Sequence, residues 1–259
     1  MRYGFPLCLL LLIFAPPAKA AAMPALKPHR AFYDVSLYHA RAGTPIIGAS
    51  GTSSSEISES CEGWASQDKM DVTLATQTGQ MVRLDNNFIG FERKDGSEYI
   101  FQQRDKTSPA KAVKGAASRH SDGSFIASFS QPQKRQFKLA GDTLYPIQFM
   151  QRLLEQSQKP ERLFHANVFD GSEVGGAVLY SAVLGKANQS IVDSAWRQPV
   201  QIAYFGAEPA RRGDDKPQYE ITMNINYGGM MQHYIVDYKD FVLEFTLNRS
   251  EDLPIPVCP

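Results

Sequence analysis

The sequence predicts a mainly β protein: many short strands forming a barrel, a sandwich or a large curled sheet, with one amphipathic helix. Three observations predict it. Apolar and polar residues alternate with period two over most of the chain, as a sheet with one dry and one wetter face requires. Turn signals recur at short intervals between the alternating runs. One segment alone switches to helical spacing.

The chain opens on Arg2, followed by the apolar run Leu7–Phe14 and then the small residues Ala18, Ala20, Ala21 and Ala22. This is the three-part layout of a cleaved secretory signal peptide, expected over residues 1–22. The run is well short of the roughly 18 residues that span a bilayer, and the helix-breaking pair Pro16-Pro17 lies just beyond it. Cys8 lies inside the apolar run and not after a small-residue box, which argues against lipoprotein processing. The rest of the chain has no second apolar stretch of spanning length, so no membrane span is expected after cleavage.

The first alternating run places Tyr33, Val35 and Leu37 on one face and Asp34 and Ser36 on the other. Met70–Leu74, Ile221–Tyr227 and Phe241–Leu247 repeat the pattern. Asp95-Gly96-Ser97, Asp122-Gly123-Ser124 and Asp170-Gly171-Ser172 each put Asp-Gly where a two-residue hairpin loop needs positive φ, and Gly228-Gly229 does the same near Tyr227. Such runs number about a dozen or more. From Leu144 to Gln158, Ile147, Met150, Leu153 and Leu154 recur at helical spacing, predicting a helix over about 147–158. Asp142 and Thr143 offer capping side chains, Pro146 suits the first turn, and Lys159-Pro160 stops the element. A lone helix in a β protein covers an open end or a sheet face by burying its apolar stripe. Arg104–Gly115 and Gly206–Lys216 read as solvated loops. No linker, composition shift or long-period repeat divides the chain, so residues 23–259 are expected to form one domain.

Hydrophobic residues make up 43% of the 259 and charged residues 21%, enough to bury a substantial core. Lys plus Arg and Asp plus Glu both number 27, and this balance lacks the basic excess of a nucleic-acid binder or a polybasic membrane anchor. Of three cysteines, export would remove Cys8 and leave Cys61 and Cys258. Two cysteines in an oxidising compartment are a candidate disulfide; two separate thiols are the alternative. Closing so long a loop gives at most about 5 kcal/mol in the chain-entropy model.

A search for chemistry finds no enzyme signature. His29, His39, His120, His165 and His233 show neither HxH nor HExxH spacing, so no metal site is expected. Gly48-Ala49-Ser50-Gly51 lacks the spacing of a strained nucleophile elbow. Ser66-x-x-Lys69, Lys106-Thr107-Ser108 and Ser121-Asp122-Gly123 imitate the three motifs of penicillin-recognising enzymes. Their order is wrong, and Ser66 lies beside an alternating strand where a helix start is needed. There is no GxGxxG and no P-loop, and no cofactor is expected. Aromatics make up 11% of the chain, and Phe32, Tyr33, Tyr99, Phe101, Tyr204, Phe205, Tyr234 and Tyr238 fall in alternating runs. In a curled sheet such side chains either pack a core or line an apolar groove for a lipid or acyl chain.

Several stretches carry a resemblance. They are Pro28-His29-Arg30-Ala31-x-Tyr33-Asp34, Cys61-Glu62-Gly63-Trp64, Phe91-Glu92-x-Lys94-Asp95-Gly96, Gly141–Pro146, Val168–Glu173 and Asp237-Tyr238-x-Asp240-Phe241. Together, and in this order, they resemble the alphaproteobacterial cell-envelope integrity protein B family. The resemblance implies a periplasmic protein folded as a many-stranded β-spiral, an open barrel-like sheet carrying a helix. It also implies a Cys61–Cys258 disulfide and support of the envelope under stress, with no established catalytic activity. Glu62 stands where that family tends to carry Asp. The expected function is therefore that of a non-enzymatic periplasmic protein engaging an envelope lipid, a lipoprotein or a protein partner. The alternatives are an envelope or peptidoglycan-modifying hydrolase and a purely structural docking scaffold.

Overall fold

The computed structural model describes residues 24–107, 112–172, 174–189, 196–206 and 216–259. The expected leader over 1–22, parts of both expected loops, and Ser108 lie outside the described residues. Fifteen strands are present among those described. The first eight are β1 (His29–Ala40), β2 (Ile46–Glu59), β3 (Gly63–Thr76), β4 (Met81–Arg93), β5 (Glu98–Asp105), β6 (Val113–Arg119), β7 (Phe125–Gln131) and β8 (Arg135–Lys138). The helix α1 (Pro146–Gln156) comes next, then β9 (Leu163–Val168), β10 (Val178–Leu184), β11 (Asn188–Gln189), β12 (Trp196–Phe205), β13 (Tyr219–Ile225), β14 (Met231–Asp237) and β15 (Phe241–Asp252).

Fourteen strands form one antiparallel sheet in the order β8-β7-β6-β5-β4-β3-β2-β1-β15-β14-β13-β12-β10-β9, and β11 pairs only with β12. The sheet is mostly an extended meander whose two halves meet where β1 pairs with β15. Its end strands β8 and β9 are not neighbours, so the sheet curls without closing. Leu144 continues the β9 edge through a parallel bridge to Val168. Its N–H donates to the Asn167 carbonyl at 2.8 Å, and the Phe169 N–H donates to the Leu144 carbonyl at 2.9 Å. That cover protects part of an edge otherwise open to pairing with another chain.

The alternation sets the curl. Ala31, Tyr33 and Val35 of β1, Val72 and Leu74 of β3, and Met223 and Ile225 of β13 are all buried, with more accessible residues between them. Near the start of β15 the pattern fails, because Val242 and Leu243 are both buried. A register shift between Leu37 and His39 of β1 falls opposite them, and a bulge of this kind re-aims side chains. One core fills the space between β1–β3, β9, β10 and β12–β15. A second, aromatic core joins Tyr99 and Phe101 of β5 to Phe125 and Phe129 of β7, with Tyr145 and Phe169 from beside the gap.

Helix α1 plugs the opening. Its buried stripe is Ile147, Phe149, Leu153 and Leu154. Burying a leucine fully contributes about 1.5–3 kcal/mol, which more than one turn's propensity supplies. The expected stop falls at Gln156, two residues early, because Ser157 and Gln158 close the last turn.

The cap differs from the sequence reading. Tyr145 is the N-cap residue, in extended conformation before Pro146, as a residue preceding proline favours. Asp142 and Thr143 sit before it and do not cap the helix. The acceptor is Glu92 of β4: its carboxylate takes the Ile147 N–H at 2.6 Å and the Gln148 N–H at 3.2 Å. The Gln148 side chain turns back to accept from the Tyr145 N–H at 3.0 Å.

The Asp-Gly-Ser turns also depart from expectation. Gly96, Gly123 and Gly171 all have positive φ. The Asp side chain accepts from the N–H of the Ser two residues on in each. The side chain thus closes the turn, and the loops are longer than two residues because the ladder stops before the Asp.

Candidate functional site

Between α1 and the inner face of the sheet lies a cleft of about 420 Å³. Three walls enclose it. Pro146, Phe149 and Met150 come from the helix; Ser53, Asp68, Lys69, Met70, Asn86 and Phe88 come from β2–β4; tyrosines and methionines of β10 and β12–β14 form the third wall.

The third wall is a run of touching rings. Phe149 meets Tyr180 edge-on with centroids 5.1 Å apart, and Tyr180 meets Tyr204 at 4.3 Å. Tyr204 stacks on Tyr219 at 4.3 Å, and Tyr238 lies 6.3 Å further on. A second pair of contacts holds Tyr234 between Tyr33, 5.1 Å away edge-on, and Phe245, 4.3 Å away and stacked. The Tyr33 hydroxyl is committed to the Met231 carbonyl at 2.8 Å. Burial pushes the Tyr180 phenol well up, helped by Asp170, whose carboxylate accepts its hydrogen bond. Burial does the same to Tyr234, helped by Tyr33. These phenols are neutral amphipathic surfaces, apolar in body with a polar tip. Met70, Met150, Met223 and Met231 fill the spaces between rings with flexible, polarizable side chains suited to an adaptable apolar ligand.

Asp68 breaks this apolar lining. Pairing sets it opposite Ser55 on β2 and Phe88 on β4, on the same face of β3 as Met70, Val72 and Leu74. Protein surrounds it, and this desolvation raises its pKa, partly offset by the Ser55 hydroxyl. Its side chain nevertheless remains open to the cleft itself, so the desolvation is incomplete. No Lys, Arg or His among the described residues forms an ion pair with it. The neighbouring Lys69 belongs to the opposite face by the pleat, and its carbonyl accepts from the Ser53 hydroxyl at 3.0 Å. Glu92, another acid on this face, is only 2% exposed and is spent on the helix N-terminus. Burial pushes its pKa up to about 8 against the pull of the two helix N–H groups.

The aromatics picked out from the sequence divide between three places. Tyr204, Tyr234 and Tyr238 line the cleft. Tyr33, Tyr99 and Phe101 are buried in the cores. Phe32 points to the other face beneath the Arg249 guanidinium, 4.1 Å from its ring, and Phe205 is half-buried near the end of β12. Sequence reasoning missed Tyr180, Tyr219 and Asp68. The signal for Asp68 was present, since it is an acid in phase with the buried positions Val72 and Leu74.

Chemistry beyond binding has few candidates. His165 Nδ1 lies 3.1 Å from Ser181 Oγ, but on exposed strand faces away from the cleft. His233 pairs with Glu244 at 2.8 Å, also outside the cleft. His29 is buried against the Lys27 carbonyl at 2.8 Å, and burial lowers its pKa. No group of three metal-ligating side chains occurs among the described residues. Ser66 and Lys69 sit three apart on a strand, and so on opposite faces; Lys106 is paired with Asp85 at 3.1 Å.

Cys61 and Cys258 form a disulfide with their Cα atoms 5.5 Å apart. It joins the turn between β2 and β3 to the segment after β15. No helix of the described residues is long and apolar enough to cross a membrane.

A family model described as EipB-like matches residues 20–254, which is most of the chain. The chain belongs to the EipB-like family. Among EipB-like relatives, the cell envelope integrity protein EipB of Brucella abortus (strain 2308) is 29% identical over 253 residues, covering 92% of this chain and 88% of the relative. The EipB-like fold is also that of a crystal structure of a β-barrel-like protein of domain of unknown function DUF1849 from Brucella abortus. It superposes with a TM-score of 0.81 at 25% identity, over 89% of this chain and 99% of that one.

Proposed function

We propose that this EipB-like protein supports cell-envelope integrity as a non-enzymatic binding protein of the periplasm, taking the acyl part of an envelope lipid or lipoprotein into the cleft beside α1. The cell envelope integrity protein from Brucella supports the envelope role by likeness. The observation that carries the binding role is the cleft lining: contiguous tyrosine rings facing α1, with four methionines contributed by α1, β3, β13 and β14. Concave, mostly apolar sites with a few convergent polar groups are where small ligands bind. Delivery to the periplasm rests on the leader read from residues 1–22 and agrees with the disulfide.

Native mass spectrometry of protein purified from its own envelope tests the reading. The expected result is a mass increment from a co-purifying acyl species that is lost when Met150→Glu puts a charge into the cleft. Protein without any such increment, together with no partner after crosslinking in cells, would overturn it.

A further inference from the structure

Two charged residues, Asp68 and Lys69, line the cleft and form no ion pair among the described residues; the pleat directs Lys69 to the other face of β3, so Asp68 is the charge presented to the cleft. Tyr180, a polar residue of the same lining, is committed to Asp170, whereas the buried Asn86 Oδ1 has no hydrogen-bond partner and is a second polar group turned to the cleft region. Lys106 and Arg83 nearby are taken by Asp85 and Asp71. Asp68 alone has only a serine hydroxyl beside it. The carboxylate is exposed on the cleft side, faces the tyrosine wall and has no ion-pair partner among the described residues. It adds nothing to the packing of either core, since its side chain opens into the cleft.

We infer that the cleft selects an amphiphile with a cationic head, a primary or quaternary ammonium, held by Asp68 while its chain lies along the tyrosine and methionine wall. This deepens the proposed function above and rests on it. Charge complementarity gives the sign. An ammonium supplies the missing countercharge, and the faces of neighbouring tyrosine rings attract the same cation. An anionic head of equal size, a carboxylate or a phosphate, would meet Asp68 as a like charge, and so be rejected. A neutral glycerol or sugar head gains neither. The apolar wall grips the chain, whereas Asp68 decides which chains are held.

Dodecylamine, dodecyltrimethylammonium and dodecanoate share a chain length and differ only in the head. Calorimetric titration of the wild-type protein below micelle-forming concentrations is expected to show both cations binding at least about ten-fold tighter than the acid, equivalent to about 1.4 kcal/mol. Asp68→Asn is expected to bring the three affinities within a factor of about two to three of one another. Equal wild-type affinity for the cations and dodecanoate would overturn the inference and leave the apolar cleft standing as a ligand site. So would a preference for cations that survives Asp68→Asn. If none of the three binds, the proposed function of the cleft fails, and the inference falls with it. The wild-type series needs no variant to fold. A melting curve for Asp68→Asn then separates lost selectivity from lost structure.

Discussion

Gly171 has a φ of +75°, and a Cβ built on it would stand 2.4 Å from the Phe101 ring. The loop after β9 therefore presses its backbone onto the aromatic core through the one residue that has no side chain. Gly123 shares the Asp-Gly-Ser context and a φ of +82°, but a Cβ there meets nothing within 4 Å. Sequence made these turns look alike because the Asx geometry is local, whereas the crowding at Gly171 comes from a strand about 70 residues away. Gly123→Ala carries only the cost of a left-handed backbone, about 1–2 kcal/mol. Gly171→Ala adds overpacking against a fully buried ring, for a total of roughly 2–5 kcal/mol. Paired urea unfolding curves check this, and equal losses at the two sites would show that the ring moves aside freely. Asp68 makes the same point about legibility. Its phase along β3 was readable, but not the absence of a cation opposite it, because its neighbours come from β2, β4 and the tyrosine wall.

At the scale of elements, α1 is the piece whose existence the sequence declared most clearly and whose attachment it concealed. Period and Pro146 located the helix to within two residues. The group that satisfies its first N–H donors lies on β4, 55 residues away from Ile147, where no local capping pattern points. Glu92 ties the lid of the cleft to the sheet, and the tie depends on pH. Its carboxyl is raised from 4.5 to about 8 by burial. A raised folded-state value means that the folded protein holds the proton more tightly than the unfolded chain. The associated stability is therefore fully present below about pH 4.5 and is lost as pH rises through about 8. Each pH unit between those two values is worth about 1.4 kcal/mol, which bounds the loss between pH 5 and 9 at roughly 4–5 kcal/mol. Tyr99 and Tyr145 beside it, both with pKa values pushed up by burial, stay neutral across that range. Thermal melts from pH 5 to 9 are expected to fall for wild type and to flatten for Glu92→Gln. Parallel curves for the two proteins would mean that the carboxyl keeps an ordinary pKa.

Over the whole molecule, alternation and turn spacing were enough to indicate a large curled β structure, because each strand writes its inward face into its own sequence. Alternation alone did not choose between barrel, sandwich and open sheet; the family resemblance implied the open, barrel-like spiral with one helix, and that is the fold found. That choice is made where β1 meets β15 and where α1 and Leu144 occupy the gap between β8 and β9, and it depends on contacts far apart in the chain. The disulfide acts at this scale too. Cys61 and Cys258 are separated by 197 residues, and the β1–β15 ladder already brings the two regions together in the folded state. After β15, the Leu253 N–H still donates to the Pro28 carbonyl at 3.1 Å, while Ile255 and Val257 are exposed. Removing the bridge thus takes little from native packing, and its contribution comes through the unfolded chain, where closing so long a loop is worth up to about 5 kcal/mol. Cys61→Ser, Cys258→Ser and the double variant are accordingly expected to share one lowered melting temperature, a loss of about 2–5 kcal/mol, and an unchanged far-ultraviolet β spectrum. The double variant decides between the two sources of stability: if it unfolded the sheet outright, or melted with the oxidised wild type, the unfolded-chain account would be wrong.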